Sequence, residues 1–383
     1  MKAILISCYD FHYDLRLKYV ENILIERGFQ VKKIFSDYDH LRKKRTTYTD
    51  PSVIEISVPS YQKNISIKRL YSHIIFSCKL KKVLRTEKPN LIYADIPPNS
   101  IALGVASHKK RDKNCIIIFD ILDLWPESFS KSKWLKLPFW FWKKIRTLAL
   151  PKADYITLEC DYYQQFLNPH LKKGMHSTLY LCKPPLEEKL RFSHPEDTLN
   201  FCYLGSINNI INIPAIVEML LEVKTNNDNK AIPRKTKLYI IGDGENREVF
   251  LNQLKDNGID FEYAGAIYDE EKKNEILRRC HFGINMYNSS VAIGLTMKSL
   301  DYFRVGLPTI NMNIMDTGIL VDKYKSGYDI SKDNWSEVIN HIVTVDNHNW
   351  GILHSNTIQM FNDLFTESVF NSNFNKVLDK LQK

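Results

Sequence analysis

The sequence predicts an α/β protein built from two doubly wound parallel sheets, and three observations carry that reading. The chain has 383 residues, more than one hydrophobic core usually holds and enough for two compact units. Short apolar runs alternate with helical segments, the order that parallel strands need because each is reached through a crossover. The alternation pauses once, in the Pro-containing polar stretch CKPPLEEKLRFSHPED at residues 182–197, and then restarts.

In chain order, KAILISCY (2–9) reads as the first strand. Asp14 is placed to cap a helix whose Leu17, Val20 and Leu24 share one face, Gly28 stops it, and FQVKKIF (29–35) is the next strand. After a Lys-rich helical segment from Ile67 to Arg85 come the strands LIYAD (91–95), CIIIFD (115–120) and DYITLE (154–159). The second half repeats the pattern. LNFCYLG precedes a helix from about Pro214, KLYIIGDG a helix from Glu245, and IDFEYAG a helix over Glu270 to Arg279, followed by FGINM and LPTINMN. A final helical segment, Phe361 to Leu381, is free to pack back on either half. The expected units are residues 1–190, residues 191–355, and a C-terminal helix within 356–383.

Composition removes several classes. With 44% hydrophobic and 25% charged residues the chain is neither disordered nor fibrous. The seven cysteines show no paired spacing, and several, such as Cys8 and Cys115, lie in strand-like apolar runs, which fits reduced core thiols and not a disulfide framework or a zinc site. The short apolar run before Asp10 lacks the h-region and cleavage site of a signal peptide, and no stretch has the 18 or so apolar residues of a spanning helix. A soluble or surface-bound cytoplasmic chain is expected.

The net charge of +9 is concentrated. KSKWLKLPFWFWKKIR (131–146) carries six basic residues, no acid, and three of the chain's six tryptophans. With a helix opened by Pro138, Phe141, Ile145 and Leu148 form an apolar stripe and Trp140 falls beside Lys143 and Lys144. Together with Trp134 these residues suit the headgroup region of an anionic membrane, where each basic side chain contributes about 1 kcal/mol. A solvated basic face with its aromatics in the core is the alternative. Nucleic acid is not expected, because no binding motif accompanies the patch.

Ligands of open α/β sheets bind beyond the carboxyl ends of the strands. Those ends are Asp10 to His12, Asp95 to Asn99 and Asp120 to Ser128 in the first half; Gly205 to Asn209, Gly242 to Gly244 and Gly265 to Tyr268 in the second. In DILDLWPES (120–128) two aspartates and a glutamate crowd the mouth of a buried strand. Pro126 and Glu127 fit the first turn of a following helix.

DILDLWPES, KLYIIGDGENRE, FEYAGAIYDEE and above all TMKSLDYFRVGLPTI resemble the retaining nucleotide-sugar glycosyltransferases of family 4, over nearly the whole chain. The likeness is nearest to the branch that builds bacterial capsule, exopolysaccharide and O-antigen chains. It implies the GT-B fold, with two Rossmann-like domains facing a central cleft. On this basis AIGLTMKSLDYF (292–303) places Gly294 and Thr296 before a helix whose N-terminus faces a diphosphate. Lys298 adds a full positive charge there. Asp301 takes the place of the second glutamate of the family's E-x7-E motif and would bind the ribose hydroxyls. Gly205, Ser206 and Gly242 would form the turns at the phosphates, and the backbone of Ala266, Ile267 and Tyr268 would read a uracil edge. In the other half the resemblance puts acceptor and catalytic groups at Asp123 first and Asp120 second, with His12 a further contact.

Three departures accompany the likeness. Ile293 stands where the first glutamate of E-x7-E belongs, YLGSINNIINI lacks the Arg and Lys that often clamp the donor phosphates, and YDFHYD replaces the N-terminal glycine pair. The expected reaction is transfer of a sugar from a UDP-sugar to a lipid-linked saccharide at the inner face of the cell membrane, with retention, without cofactor and without metal. A non-catalytic partner subunit of the same fold and a sugar-nucleotide epimerase are the alternatives.

Overall fold

In a computed structural model the chain forms two compact units, Met1–Leu181 with Glu367–Lys383, and Cys182–Thr366. The structure describes residues 1–9, 15–40, 42–63, 66–128, 136–186, 192, 197–230 and 233–381.

The first unit contains β1 (Lys2–Ile6), α1 (Arg16–Glu26), β2 (Gln30–Ser36), β3 (Tyr38–Asp39), β4 (Lys44–Arg45), β5 (Val53–Ile56) and α2 (Ile67–Glu87). It continues with β6 (Leu91–Ile96), α3 (Asn99–Lys109), β7 (Ile116–Ile121), α4 (Lys136–Ala149), β8 (Tyr155–Leu158), α5 (Gln164–Leu167) and β9 (His176–Thr178). Seven strands form one parallel sheet in the order β5-β2-β1-β6-β7-β8-β9, and β3 and β4 pair as a separate antiparallel hairpin. All six residues of β6 are buried, as expected of a central strand covered on both faces, which reads as a continuous apolar run instead of an alternation.

The second unit runs β10 (Thr198–Leu204), α6 (Ile213–Asp228), β11 (Lys235–Ile241), α7 (Arg247–Asp256), β12 (Asp260–Gly265), α8 (Glu270–Leu277) and β13 (Phe282–Met286). It ends with α9 (Met297–Val305), β14 (Thr309–Met312), α10 (Met315–Tyr324), β15 (Gly327–Asp329), α11 (Trp335–Thr344) and α12 (Asn347–Leu364). Its parallel sheet has the order β12-β11-β10-β13-β14-β15. Several helices of this unit start at side-chain caps. Asn212 caps α6 with Pro214 in the first turn, Asp269 caps α8, and Thr296 caps α9, which Gly306 ends in the left-handed conformation at φ 76°.

The chain returns to the first unit as α13 (Glu367–Leu381), whose Phe370 and Phe374 pack on Tyr19 of α1 and Tyr93 of β6. The expected single C-terminal helix is therefore two, one in each unit. They are separated at Phe365 and Thr366 because Lys183 pairs there: its amide donates to the Phe365 carbonyl at 2.9 Å. The same contact moves the expected division from 190/191 to 181/182. Asp14, the expected cap of α1, lies outside the described residues. No helix among the described residues is long and apolar enough to cross a membrane.

In both sheets the chain first winds one way and then, after the central strand, the other. The reversal leaves a crevice between β1 and β6 in the first unit and between β10 and β13 in the second.

Candidate functional site

At the second crevice, β10 runs into Gly205, at φ 114°, and the exposed Ser206. The turn after β11 crosses it closely. A Cβ on Gly242, at φ 153°, would stand 1.9 Å from the Gly205 carbonyl oxygen, so only glycine lets the two strand ends meet. Tyr203 in β10 donates its hydroxyl to the Ser206 carbonyl at 2.8 Å and so fixes the turn.

Helix α9 starts at the same crevice. The Thr296 hydroxyl caps it by accepting from the Ser299 amide at 3.3 Å, and the Gly294 carbonyl is drawn away toward α10, accepting from the Thr317 amide at 3.0 Å. The first-turn amides of Met297 and Lys298 have no helical acceptor, and the helix dipole makes this end electropositive. Lys298 reaches from that turn between two rings, with its ammonium 4.5 Å from the centre of Tyr203 and 4.7 Å from that of Tyr287, just after β13. Among the described residues it forms no ion pair. Burial pushes the Lys298 amine down to about 7.

One turn along α9, Asp301 accepts from Lys183 and from Lys273 of α8 at 3.2 Å, both through Oδ1. Among the described residues Oδ2 accepts nothing. Glu270, at the start of α8, binds Lys273 at 2.6 Å and Arg304 of α9 at 2.9 Å, so α8 is tied to the Asp301 face of α9. The loop that leads into α8 is Ala266 to Tyr268, exposed at Ala266 and at Tyr268, which is 93% exposed. The residues expected from the sequence at this site thus converge on one end of one sheet. Ile293, in place of the first glutamate of E-x7-E, packs against the core instead.

Four residues here were not anticipated from the sequence: Tyr203, Tyr287, Lys183 and Lys273. The two lysines bring positive charge to a region where YLGSINNIINI has none.

The first unit treats its two aspartates differently. Asp120 is fully buried at the end of β7. Its oxygens accept from Arg16 at 2.5 and 2.8 Å, from Thr157 at 2.6 Å and from the Tyr93 hydroxyl. Such a carboxylate is a structural counter-ion with no oxygen left for a substrate, which corrects the expectation that it is a second catalytic candidate. Asp123 is half-buried and accepts from Trp125 Nε1 at 2.7 Å. Burial pushes its carboxyl above the usual range, against the Trp125 hydrogen bond that lowers it. The segment that would follow Glu127 as a helix, residues 129–135, lies outside the described residues. Residues 125–128 form a turn, and Glu127 holds Arg146 at 2.7 Å and Lys143 at 3.2 Å, anchoring α4. Burial opposes its ionisation, and Arg146 outweighs that and leaves the carboxyl below its ordinary value. His12 lies outside the described residues.

Beside this turn the structure gathers side chains with no motif to announce them. The Arg69 guanidinium lies 4.5 Å over Trp125 and donates to the Tyr9 hydroxyl at 2.8 Å, and His73 stacks on Trp125 at 6.0 Å.

Helix α4 turns Trp142, Arg146 and Ala149 inward. Its outer face shows Leu137 (66% exposed), Trp140 (51%), Phe141 (57%) and Leu148 (60%), with Lys144 5.0 Å from the Trp140 ring. The apolar stripe therefore faces outward. Arg146 is fully buried and Lys143 is ion-paired, so fewer basic groups are available on this face than the sequence count of six suggests. Trp134 lies outside the described residues.

No family model matches the chain. A stretch of 90 residues, 23% of this chain and 20% of the relative, is 32% identical to chitobiosyldiphosphodolichol beta-mannosyltransferase of Kluyveromyces lactis. The Candida glabrata protein of that name is 26% identical over 102 residues, 26% of this chain and 22% of its own length. The chain thus matches about a fifth of the length of these relatives. Solved structures align over its whole length. Sucrose-phosphate synthase from Thermosynechococcus elongatus has a TM-score of 0.72 at 13% identity, covering 100% of this chain and 99% of its own. The lipopolysaccharide outer core galactosyltransferase WaaB has a TM-score of 0.68 at 13% identity and 99% coverage of both chains. Anabaena HepE, solved with UDP, has 0.67 at 12% identity, covering 99% of this chain and 100% of its own. The chain has the fold of these proteins, two Rossmann-like doubly wound parallel-sheet domains of the GT-B type.

Proposed function

We propose that the protein is a glycosyltransferase of the retaining family 4 type that moves a sugar from a UDP-sugar to a lipid-linked saccharide in cell-surface polysaccharide synthesis. The observation that carries this reading is Lys298, a cation without an ion-pair partner among the described residues, held at the capped N-terminus of α9 beside Gly205. A diphosphate at that point would meet the ammonium and the first-turn amides together. Asp301 would present Oδ2 to the ribose, and the Ala266 to Tyr268 backbone would take the base.

The HepE complexes with UDP and with UDP-glucose support the choice of donor. The name of the partial relatives, chitobiosyldiphosphodolichol beta-mannosyltransferase, supports a lipid-linked acceptor. With retention, the leaving diphosphate takes the proton of the incoming hydroxyl on the same face, so no separate strong base is required, and Asp123 would orient that hydroxyl or stabilise the oxocarbenium-like centre. Lys298 and the helix N-terminus offset the charge that a metal would otherwise neutralise, so transfer would proceed in EDTA. The outward stripe of α4 would hold the protein against the inner face of the cell membrane.

The test is thermal unfolding with UDP, GDP, ADP, CMP and dTDP, followed by a donor-sugar screen. A ligand at about a hundred times its dissociation constant stabilises by about 2.7 kcal/mol. A UDP-selective rise in Tm, and a product whose anomeric proton shows the donor's configuration, are expected. A shift with GDP alone would replace UDP, an inverted product would remove the retaining mechanism, and no shift with any nucleotide would favour a non-catalytic partner subunit. Conversion of the donor without acceptor would identify an epimerase.

A further inference from the structure

Lys298, half-buried, is gripped by ring faces where such a cation would ordinarily have a carboxylate. Tyr203 comes from β10 and Tyr287 from the end of β13, the two strands that flank the crevice, and their rings stand 4.5 and 4.7 Å from the ammonium. Each also holds a backbone feature of the same site. The Tyr203 hydroxyl fixes the Ser206 carbonyl, and the Tyr287 phenol lies against the Thr296 hydroxyl that caps α9.

Neither ring is an anion, because burial pushes both phenols well above their ordinary range. Among the described residues the other titratable group that acts on the lysine is Cys202 of β10, whose thiol is buried, and Tyr302, four positions along α9, has its phenol raised by burial. Asp301, the nearest carboxylate along α9, is held by Lys183 and Lys273. Among the described residues, nothing that faces Lys298 supplies a permanent negative charge.

We propose that Tyr203 and Tyr287 are positioning residues that hold Lys298 as a proton-gated receptor for the donor diphosphate, the amine taking a proton from solvent when the diphosphate binds and returning it on release. The inference rests on the reading that a nucleoside diphosphate sits at the N-terminus of α9. Burial, at an electropositive helix end and with no carboxylate facing it among the described residues, pushes the amine down to about 7 in the empty site. The two ring faces favour the ammonium and keep protonation within reach. A diphosphate in contact adds the missing negative charge and returns the group toward ordinary lysine behaviour. The amine then binds more protons in the complex than in the free protein, so affinity falls as pH rises above about 7.

The experiment is calorimetric titration of the full chain with UDP at pH 8 in Tris and in Hepes, whose heats of ionisation differ, with affinities measured from pH 6.5 to 9. The expected result is uptake of about one proton per UDP at pH 8 and a loss of affinity approaching tenfold per pH unit above it. Lys298→Arg, which stays charged throughout, abolishes the uptake and flattens the profile. Tyr203→Phe and Tyr287→Phe keep the ring faces and the wild-type pH profile, whereas Tyr287→Leu, lacking one ring that favours the ammonium, lowers the free amine further and moves the onset of the affinity loss to lower pH. Should a tyrosine variant fail to fold, the comparison of wild type with Lys298→Arg carries the test. UDP binding with buffer-independent heat and a flat profile overturns the inference and leaves the nucleotide site standing. Absence of UDP binding overturns both.

Discussion

Lys183 and Lys273 meet Asp301 through the same carboxylate oxygen, Oδ1, and among the described residues Oδ2 is left open. The lysines thereby orient a carboxylate that would otherwise swing, and a ribose hydroxyl donating to Oδ2 needs no rearrangement. Asp301→Ala is expected to lower UDP affinity about tenfold to a hundredfold, the worth of a charged hydrogen bond at about 1.5–3 kcal/mol. Calorimetry checks it. An unchanged affinity would remove Asp301 from the site.

The Arg16–Asp120 pair predicts a loss of another kind. With side chains 2% and 0% exposed, removing one partner strands the other in the core, which costs about 3–5 kcal/mol. Asp120→Ala is therefore expected to lower the urea midpoint of the first unit strongly, while leaving UDP binding unchanged at temperatures where the variant is folded. Normal stability with lost transfer would make Asp120 a catalytic group after all.

Asp123 is expected to show the opposite pattern. Its carboxylate is half-buried and bonded to Trp125, so Asp123→Asn preserves volume and most hydrogen bonding while removing charge. Transfer to acceptor is expected to fall about a hundredfold or more with UDP affinity unaltered, the magnitude typical of losing one preorganised electrostatic group. Equal loss in donor binding would assign it a structural role.

Membrane binding is expected to depend on Trp140 and Lys144 and not on Arg146, which is fully buried in the turn of Glu127. Trp140→Ala combined with Lys144→Ala should abolish flotation with anionic liposomes and leave Tm unchanged, since Trp140 is 51% exposed. Persistent flotation would move the contact elsewhere.

These residues also show what a sequence can disclose. The strands of both sheets are readable because a parallel strand covered on two faces must be apolar, as in CIIIFD and FGINM. The α9 site is readable because its parts, Gly294, Thr296, Lys298 and Asp301, are local. Tyr203 and Tyr287 meet Lys298 only through the pairing of β10 with β13, and Lys183 reaches Asp301 across 118 positions. Those contacts leave no local pattern. Asp120 and Asp123 look alike in DILDLWPES. One faces the core and the other a turn, and only the register of β7 against β6 and β8 assigns them.

Two histidines of the first unit predict how acid acts on the fold. His40 is lowered to about 3, by burial first and then by Arg69 and Lys43, and burial holds His73 well below the ordinary histidine range. In the unfolded chain both titrate near 6.5. Between these limits the unfolded state binds more protons, so stability is complete above pH 6.5 and is lost progressively as pH falls toward 3. His73 is the cleaner probe: it is fully buried, stacked on Trp125, and neither ring nitrogen has a hydrogen-bond partner among the described residues, so a phenyl ring can replace it with little change in contacts. His73→Phe is expected to match wild type at pH 7 and to retain more stability at pH 4.5, read as a smaller drop in urea midpoint. Equal drops in both proteins would mean that His73 reaches solvent and protonates freely in the folded state.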